Sequence, residues 1–377
     1  MVRNWLTSAV LSAATIVGVV PTLRAADAPL SGEKLAAARE QAVGKAAEYL
    51  RTKGQAADGS FSSQAGPAVT ALVTTGLLRN GRTVDDPVVA NALKYLEQFV
   101  QADGGICKPE NNRGNYETCL ALMCYAEANK DGRYTDRIAK AQKYLKGLQW
   151  DESKGHDKNS ASYGGAGYVE GKRPDLSNTS YFLDALKAAG DGPDDLAVKK
   201  ALVFVSRCQN LETEANTTEF AAKNPDGGFY YTPAAGGSSM AGKTDQGGLR
   251  SYASMTYAGL KSMIYAGLTP NDPRVKAALE WLGKNYTLDS NPGMADNGLY
   301  YYFNTFAKAL NAMGQETFTD DKGVQHRWAD ELANELIRRQ RADGSWANDN
   351  ARWMEGDPNL VTGYALLALS YCQPAKP

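Results

Sequence analysis

The chain has 377 residues, and its 41 Lys and Arg stand against 42 Asp and Glu, a formal net charge of −1. No basic stripe interrupts that balance, which leaves nucleic acid no electrostatic footprint and excludes it as an expected partner. Five cysteines occur without a Cys-x-x-Cys pair, so a structural zinc site has no support, and no metal or cofactor is expected.

The first 26 residues read as a leader. Arg3 supplies a positive start, Trp5 to Val20 are apolar and uncharged, and Ala25-Ala26-Asp27-Ala28 offers small residues for cleavage. Residues 1–26 are therefore expected to be a signal peptide, too short for a comfortable membrane span. The expectation is an exported protein, periplasmic or extracellular, with residues 27–377 as a single domain and no membrane span after cleavage. Setting aside Arg3 and Arg24 leaves 39 basic against 42 acidic residues, a net charge near −3.

One short pattern then recurs six times: a threonine a few residues into an apolar, Ala/Leu-rich stretch. It stands at Thr70, Thr118, Thr179, Thr256, Thr305 and Thr362, at intervals of 48, 61, 77, 49 and 57 residues. Such spacing means stacked supersecondary units. Between the threonines, helical patterns recur at 89–100, 138–148, 198–208 and 275–282, and Asp86-Pro87 and Asp272-Pro273 mark capped starts. A glycine turn with an aromatic or apolar residue follows several of them: QAADGSF from Gln55, QADGGI from Gln101, YGGAGY from Tyr163 and NPDGGFY from Asn224, with NGLY from Asn297 the weakest.

The last unit is the clearest. Ala329, Leu332, Ala333, Leu336 and Ile337 form one apolar helical face, and Arg338, Arg339 and Arg341 follow where cations suit the helix dipole. The turn ADGSW, ending at Trp346, stops that helix. Asp357-Pro358 then opens a second, with Val361, Tyr364, Ala365, Ala368 and Leu369 as its stripe. The unit is helix, glycine turn with an aromatic plug, helix. Six such hairpins predict an all-α fold of about twelve helices. The cysteines Cys107, Cys119, Cys124, Cys208 and Cys372 are read as buried small thiols, a bridge from Cys107 to Cys119 or Cys124 being the alternative.

The stretch RRQRADGSW, with Leu336-Ile337 upstream, resembles the Gln–Trp repeat of the squalene-cyclase and protein-prenyltransferase superfamily, and the resemblance extends over nearly all of the chain after the leader. It implies an α/α toroid: six inner helices ringed by six outer ones around a central funnel. The glutamine caps and the aromatic stacks at the hairpin turn, so the motif specifies architecture and says little about chemistry.

In a ring of hairpins every first-to-second-helix loop emerges on one rim. These are the long loops, about 151–174, 209–249 and 285–298, whereas the return connections (GRTVDDP, KDGRYTD, GDGPDD, TPNDP) are mostly tight turns. Long loops on one rim usually build the functional face, and the inner-helix N-termini point there too. The positions preceding each repeat threonine are expected to approach the funnel: Val69, Glu117, Asn178, Met255, Asn304 and Val361, with Tyr116, Asp175, Tyr252, Tyr301 and Tyr302 nearby and Arg250 at the rim. The ligand-binding candidates are Glu117, Asp175, Asn178, Arg250, Tyr252, Tyr302 and Asn304. The threonines themselves are expected to pack, bonding back to the preceding turn.

The known chemistries of the resembling families need residues this chain lacks. A class II cyclase acid motif is Asp-x-Asp-Asp before Thr, but here Asp175-Leu176-Ser177-Asn178-Thr179 has serine and asparagine at the later acid positions, and neither can protonate an alkene. Zinc prenyltransfer needs Asp-x-Cys and a distant His. Glu117-Thr118-Cys119 has the wrong acid, and His156 and His326 lack the context. A polysaccharide enzyme would want paired carboxylates or a base with an arginine, from Glu117, Asp175, Asp245, Glu355 and Arg250. The functional expectation is that the funnel binds an apolar or isoprenoid-like small molecule, a lipid or a peptide. An envelope lyase or glycosidase, or a non-catalytic binding or scaffold toroid, is the alternative. Tyr and Met around a cavity would favour the first, clustered carboxylates with an exposed Trp346 or Trp353 the second, and a filled funnel the third.

Overall fold

A computed structural model of the chain describes residues 28–373, so the expected leader lies outside the described residues. Twelve α-helices alternate between two layers among them. The outer helices are α1 (Gly32–Tyr49), α3 (Pro87–Glu97), α5 (Thr135–Leu148), α7 (Leu196–Arg207), α9 (Pro273–Lys284) and α11 (Trp328–Arg339). The inner helices are α2 (Pro67–Arg79), α4 (Gly114–Ala128), α6 (Leu176–Ala188), α8 (Ala253–Tyr265), α10 (Leu299–Met313) and α12 (Pro358–Tyr371). Each inner helix packs on the next, and α12 packs on α2, so the ring closes. This is the all-α set of six hairpins expected from the repeats, closed into the α/α toroid that the resemblance implied.

Composition explains the layering. Every residue of α2 from Pro67 to Leu77 is buried, whereas α11 buries only Trp328, Leu332, Ala333 and Leu336. A helix apolar all round belongs inside, and one with a single stripe belongs at the surface. Asp86, Asp272 and Asp357 accept from backbone N–H groups of the first helical turn, satisfying donors the helix itself cannot. One element departs from the all-α expectation. A short antiparallel hairpin, β1 (Phe318–Thr319) with β2 (Gln325–His326), pairs Phe318 with His326 between α10 and α11.

The Gln–aromatic turns act as staples between neighbouring hairpins. Gln340 Nε2 donates to Gly344 O in its own turn (2.9 Å) and to Ala42 O of α1 (2.8 Å). Gln149 and Gln209 do the same toward Ala197 of α7 and Arg274 of α9. Gly344 lies at φ +91°, and a side chain there would collide with the backbone carbonyl of Lys45, so only glycine lets the turn press on α1. The repeat threonines complete the staple. Thr70, Thr118, Thr179, Thr256 and Thr362 accept from the backbone N–H of Phe61, Ile106, Ala166, Phe229 and Trp346 at 2.9–3.1 Å. Thr305, after the weak NGLY unit, donates only to Tyr302 O of its own helix.

The first and last hairpins meet at the seam. Leu30 and Asn334 exchange two hydrogen bonds (2.8 and 2.9 Å), and Arg39 Nε donates to Leu369 O at 3.0 Å. All five cysteines are buried free thiols, which removes the alternative of a Cys107 bridge. No helix among the described residues is long and apolar enough to cross a membrane.

Candidate functional site

The outer-to-inner loops all emerge on the rim where the six inner helices begin, and a cavity of about 220 Å³ opens there. Every inner helix supplies wall from its first two turns: Ala68 and Val69, Tyr116, Ser177 and Tyr181, Ser254 and Met255, Tyr301, then Leu360 and Tyr364. The loops add Tyr168, Tyr231, Met240, Tyr252 and the run Trp353-Met354-Glu355, and Arg113 stands at the start of α4.

The tyrosines form a continuous belt. Tyr116 meets Tyr168 at 6.2 Å and Tyr181 at 5.3 Å, both edge to face; Tyr181 meets Tyr301 at 6.3 Å, and Tyr301 meets Tyr364 at 6.1 Å. Burial pushes the Tyr116 phenol up to about 12, and drives Tyr181 and Tyr364 upward as well. At neutral pH these are uncharged phenols. They can donate hydrogen bonds or present ring faces, but they hold no proton poised to move.

The carboxylates near the cavity are already engaged. Glu355 accepts from the backbone N–H of Tyr300 (3.2 Å) and Tyr301 (2.8 Å) and from Asn348 Nδ2 (2.8 Å), capping α10. Asp175 caps α6, accepting from the Asn178 backbone N–H (2.9 Å) and its Nδ2 (2.8 Å). Desolvation raises the Asp175 carboxyl to about 6 despite those bonds, and the Tyr231 hydroxyl helps hold it charged. Glu117 accepts from Lys108 N and Asn111 Nδ2, both at 2.8 Å, while burial raises its pKa. Among the described residues no pair of free carboxylates faces the cavity.

Of the sequence candidates, Tyr252 lines the cavity, as do Val69, Tyr116, Met255, Tyr301 and Glu355. Glu117, Asp175 and Asn178 are buried off the wall, Asp175 as the cap of α6. Tyr302 turns away, its hydroxyl donating to Thr287 O at 2.7 Å and its ring against Tyr257 and Phe306. Asn304 is buried between helices with its carbonyl oxygen unpartnered, and Val361 is fully buried. Arg250 and Asp245 are exposed on the long loop, where Arg250 Nε donates to Lys243 O. Trp346 is the turn plug, fully buried, with Nε1 donating to Leu336 O at 2.7 Å. Trp353 is the exposed tryptophan, 47% accessible at the cavity mouth with Arg352 over its ring.

Helix geometry explains which positions were missed. The repeat threonine points outward to the turn, and two residues along a helix rotate by about 200°, so the positions two before and two after it face the axis. Those positions hold Tyr116, already a candidate, and Ser177, Tyr181 and Tyr364, all on the wall, whereas the preceding residue reaches the wall only at Val69 and Met255. Ser177 stands where a class II cyclase acid would be, and its Oγ lies 3.0 Å from the Tyr301 hydroxyl. His326 sits far from this site, stacked on Tyr286 at 3.9 Å with Nδ1 3.0 Å from Glu331. Among the described residues no three His, Cys, Asp or Glu side chains gather as metal ligands.

No family model matches the chain, and no curated protein matches it in sequence. Solved structures do resemble it. The type II terpene cyclase MstE from Scytonema aligns with TM-score 0.51 at 13% identity, over 89% of this chain and 98% of that one. A polysaccharide lyase aligns with TM-score 0.53 at 12% identity, over 89% and 96%. A possible member of the GH105 family from Salmonella enterica serovar Paratyphi A aligns with TM-score 0.50 at 11% identity, over 93% and 97%. At these identities the likeness is one of fold. The protein is an α/α toroid of the architecture that carries both a terpene cyclase and a polysaccharide lyase, and that architecture suits a ligand binder or an enzyme.

Proposed function

We propose that this toroid is an exported protein that binds an apolar or isoprenoid-like small molecule at the mouth of its funnel and holds it without the cyclase or zinc-prenyltransfer chemistry of the families it resembles. The observation that carries the reading is the wall itself: tyrosine rings and the thioethers of Met240, Met255 and Met354 surround the cavity, and the nearest carboxylates are spent on helix caps. Aromatic faces and soft thioethers suit an unsaturated or ring-bearing body. The leader over residues 1–26 supports export.

A second reading, a carbohydrate-active enzyme of the envelope, draws on Trp353, whose exposed ring beside a tyrosine belt could stack a sugar. Calorimetric titration separates the two, using farnesol and a mixture of uronate-containing oligosaccharides against the wild type and Ala68→Trp. Ala68 lies on the wall, and a tryptophan there fills the cavity. Farnesol binding that Ala68→Trp abolishes is expected. Binding of the oligosaccharides alone would replace the first reading with the second.

A further inference from the structure

Three features around the cavity share a sign that an uncharged ligand would not use. Arg113 stands on the wall, exposed, and forms no ion pair among the described residues. The three nearby carboxylates do not reach it with an ion pair, because Glu117, Asp175 and Glu355 each turn to backbone or amide donors. Arg173 and Arg352 are also exposed near the rim and lie over aromatic rings, 5.8 Å from Tyr231 and 4.3 Å from Trp353.

Below the belt lies a second, buried excess of positive charge. Asp184 of α6 accepts from Lys261 of α8 and, at 2.9 Å, from Lys308 of α10, so two ammonium groups share one carboxylate with all three residues buried. Lys308 Nζ lies 5.6 Å from the centroid of the Tyr181 ring. A cation on a phenol ring withdraws electron density and makes the hydroxyl a stronger donor. Tyr181 lines the cavity at 4% exposure, and although the Tyr364 hydroxyl is nearby, the Tyr181 oxygen completes no hydrogen bond. An idle buried hydroxyl is costly unless something occupies its partner's place.

We infer that the ligand is an amphiphile with one anionic group, which lies over the Tyr116 ring and meets the Arg113 guanidinium and the Tyr181 hydroxyl while the apolar body fills the cavity. Arg113 precedes Tyr116 by three residues at the start of α4 and acts on its phenol, Tyr181 meets the Tyr116 ring edge to face at 5.3 Å, and all three line the one cavity. The positive ends of the inner helices face the same mouth and add to the attraction. Carboxylate, phosphate and sulfonate share the chemistry that Arg113 would recognise. This inference rests on the funnel being the ligand site.

Two fluorescent probes that differ by one charge test it: 1-anilinonaphthalene-8-sulfonate and the uncharged N-phenyl-1-naphthylamine, titrated into the full chain. Both should bind the wild type, and Ala68→Trp should remove both. Arg113→Gln should weaken the sulfonate by about tenfold or more, the loss expected for one charge-assisted contact, and the neutral probe by less than about twofold. Arg113→Lys should restore part of the loss, and Tyr181→Phe should weaken only the sulfonate. Equal effects of Arg113→Gln on both probes, or none on the sulfonate, overturn the anionic ligand and leave the apolar cavity standing. Failure of both probes to bind, or binding that Ala68→Trp leaves intact, overturns the cavity as the ligand site and the inference with it.

Discussion

Trp346 donates its backbone N–H to Thr362 Oγ1 at 3.1 Å, across 16 residues and between the turn and the inner helix it precedes. Both groups are fully buried, so the bond answers a polar group that water cannot reach. The same bond recurs in five of the six hairpins, which makes the threonine the register pin of the repeat.

Thr362→Val keeps shape and removes that acceptor. It is expected to cost about 1–3 kcal/mol, the desolvation penalty of one orphaned buried N–H. Thr305→Val, whose hydroxyl bonds only to Tyr302 O in its own helix, should cost less. Urea unfolding of the two variants side by side tests the ranking, and equal costs would mean that the turn bond carries no stability.

Asp175 should leave a mark on the pH profile of stability. Its carboxyl sits at about 6 in the folded protein, against about 3.9 when unfolded. Between those values the folded state holds the extra proton, so stability should fall as pH rises from about 4 to about 6. Asp175→Asn keeps an acceptor for the Asn178 N–H and cannot ionise. Its stability at pH 7 should equal or exceed the wild type, by up to about 3 kcal/mol, with that decline absent. An unchanged decline in the variant would assign the titration to Glu117 or Glu355.

The buried group of Lys261, Asp184 and Lys308 makes an asymmetric forecast. Asp184→Asn leaves two buried ammonium groups with no counter-charge and should destabilise by about 3–5 kcal/mol. Lys261→Met leaves one balanced pair and should be neutral or stabilising. Burial depresses Lys261 to about 8 in the folded state, below its unfolded value near 10.4. The unfolded state therefore binds more protons between those values, and wild-type stability should gain a component that rises with pH across that window. The gain should vanish in Lys261→Met, as read from unfolding at pH 8 and pH 10.

Trp353 and Met354 both hold positive φ, +54° and +65°, at the cavity mouth. Such conformations cost about 1 kcal/mol or more in residues with a side chain. Met354→Gly should relieve part of that cost and raise the melting temperature, while weakening N-phenyl-1-naphthylamine because a wall thioether is gone. A variant that melts higher and binds as before would remove Met354 from the site.

The repeated helical hairpins were legible in sequence because their determinants are local: the Asp-Pro starts, the glycine turns with their aromatic or apolar residue, and the outward threonine all fall at short range and repeat. The β1–β2 hairpin was not, since it occurs once and spans too few residues to alternate visibly. The cavity was only half legible. Tyr116, Tyr252 and Met255 followed from their nearness to a repeat threonine, but Glu117, Asn178 and Asn304, at the same position in their repeats as Met255, are buried off the wall. Tyr168, Tyr231 and Trp353 reach the cavity from loops of irregular length, where no period relates position to direction. Arg113 carried no signal except its place at the start of α4.

The most direct test of the account is mass spectrometry of the organic extract from the full-length protein purified from its own host's exported fraction, beside Ala68→Trp prepared in the same way. The account predicts a near-stoichiometric apolar molecule bearing one acidic group in the wild type and its loss from the variant. A stoichiometric oligosaccharide, or an apolar molecule retained equally by Ala68→Trp, would contradict it.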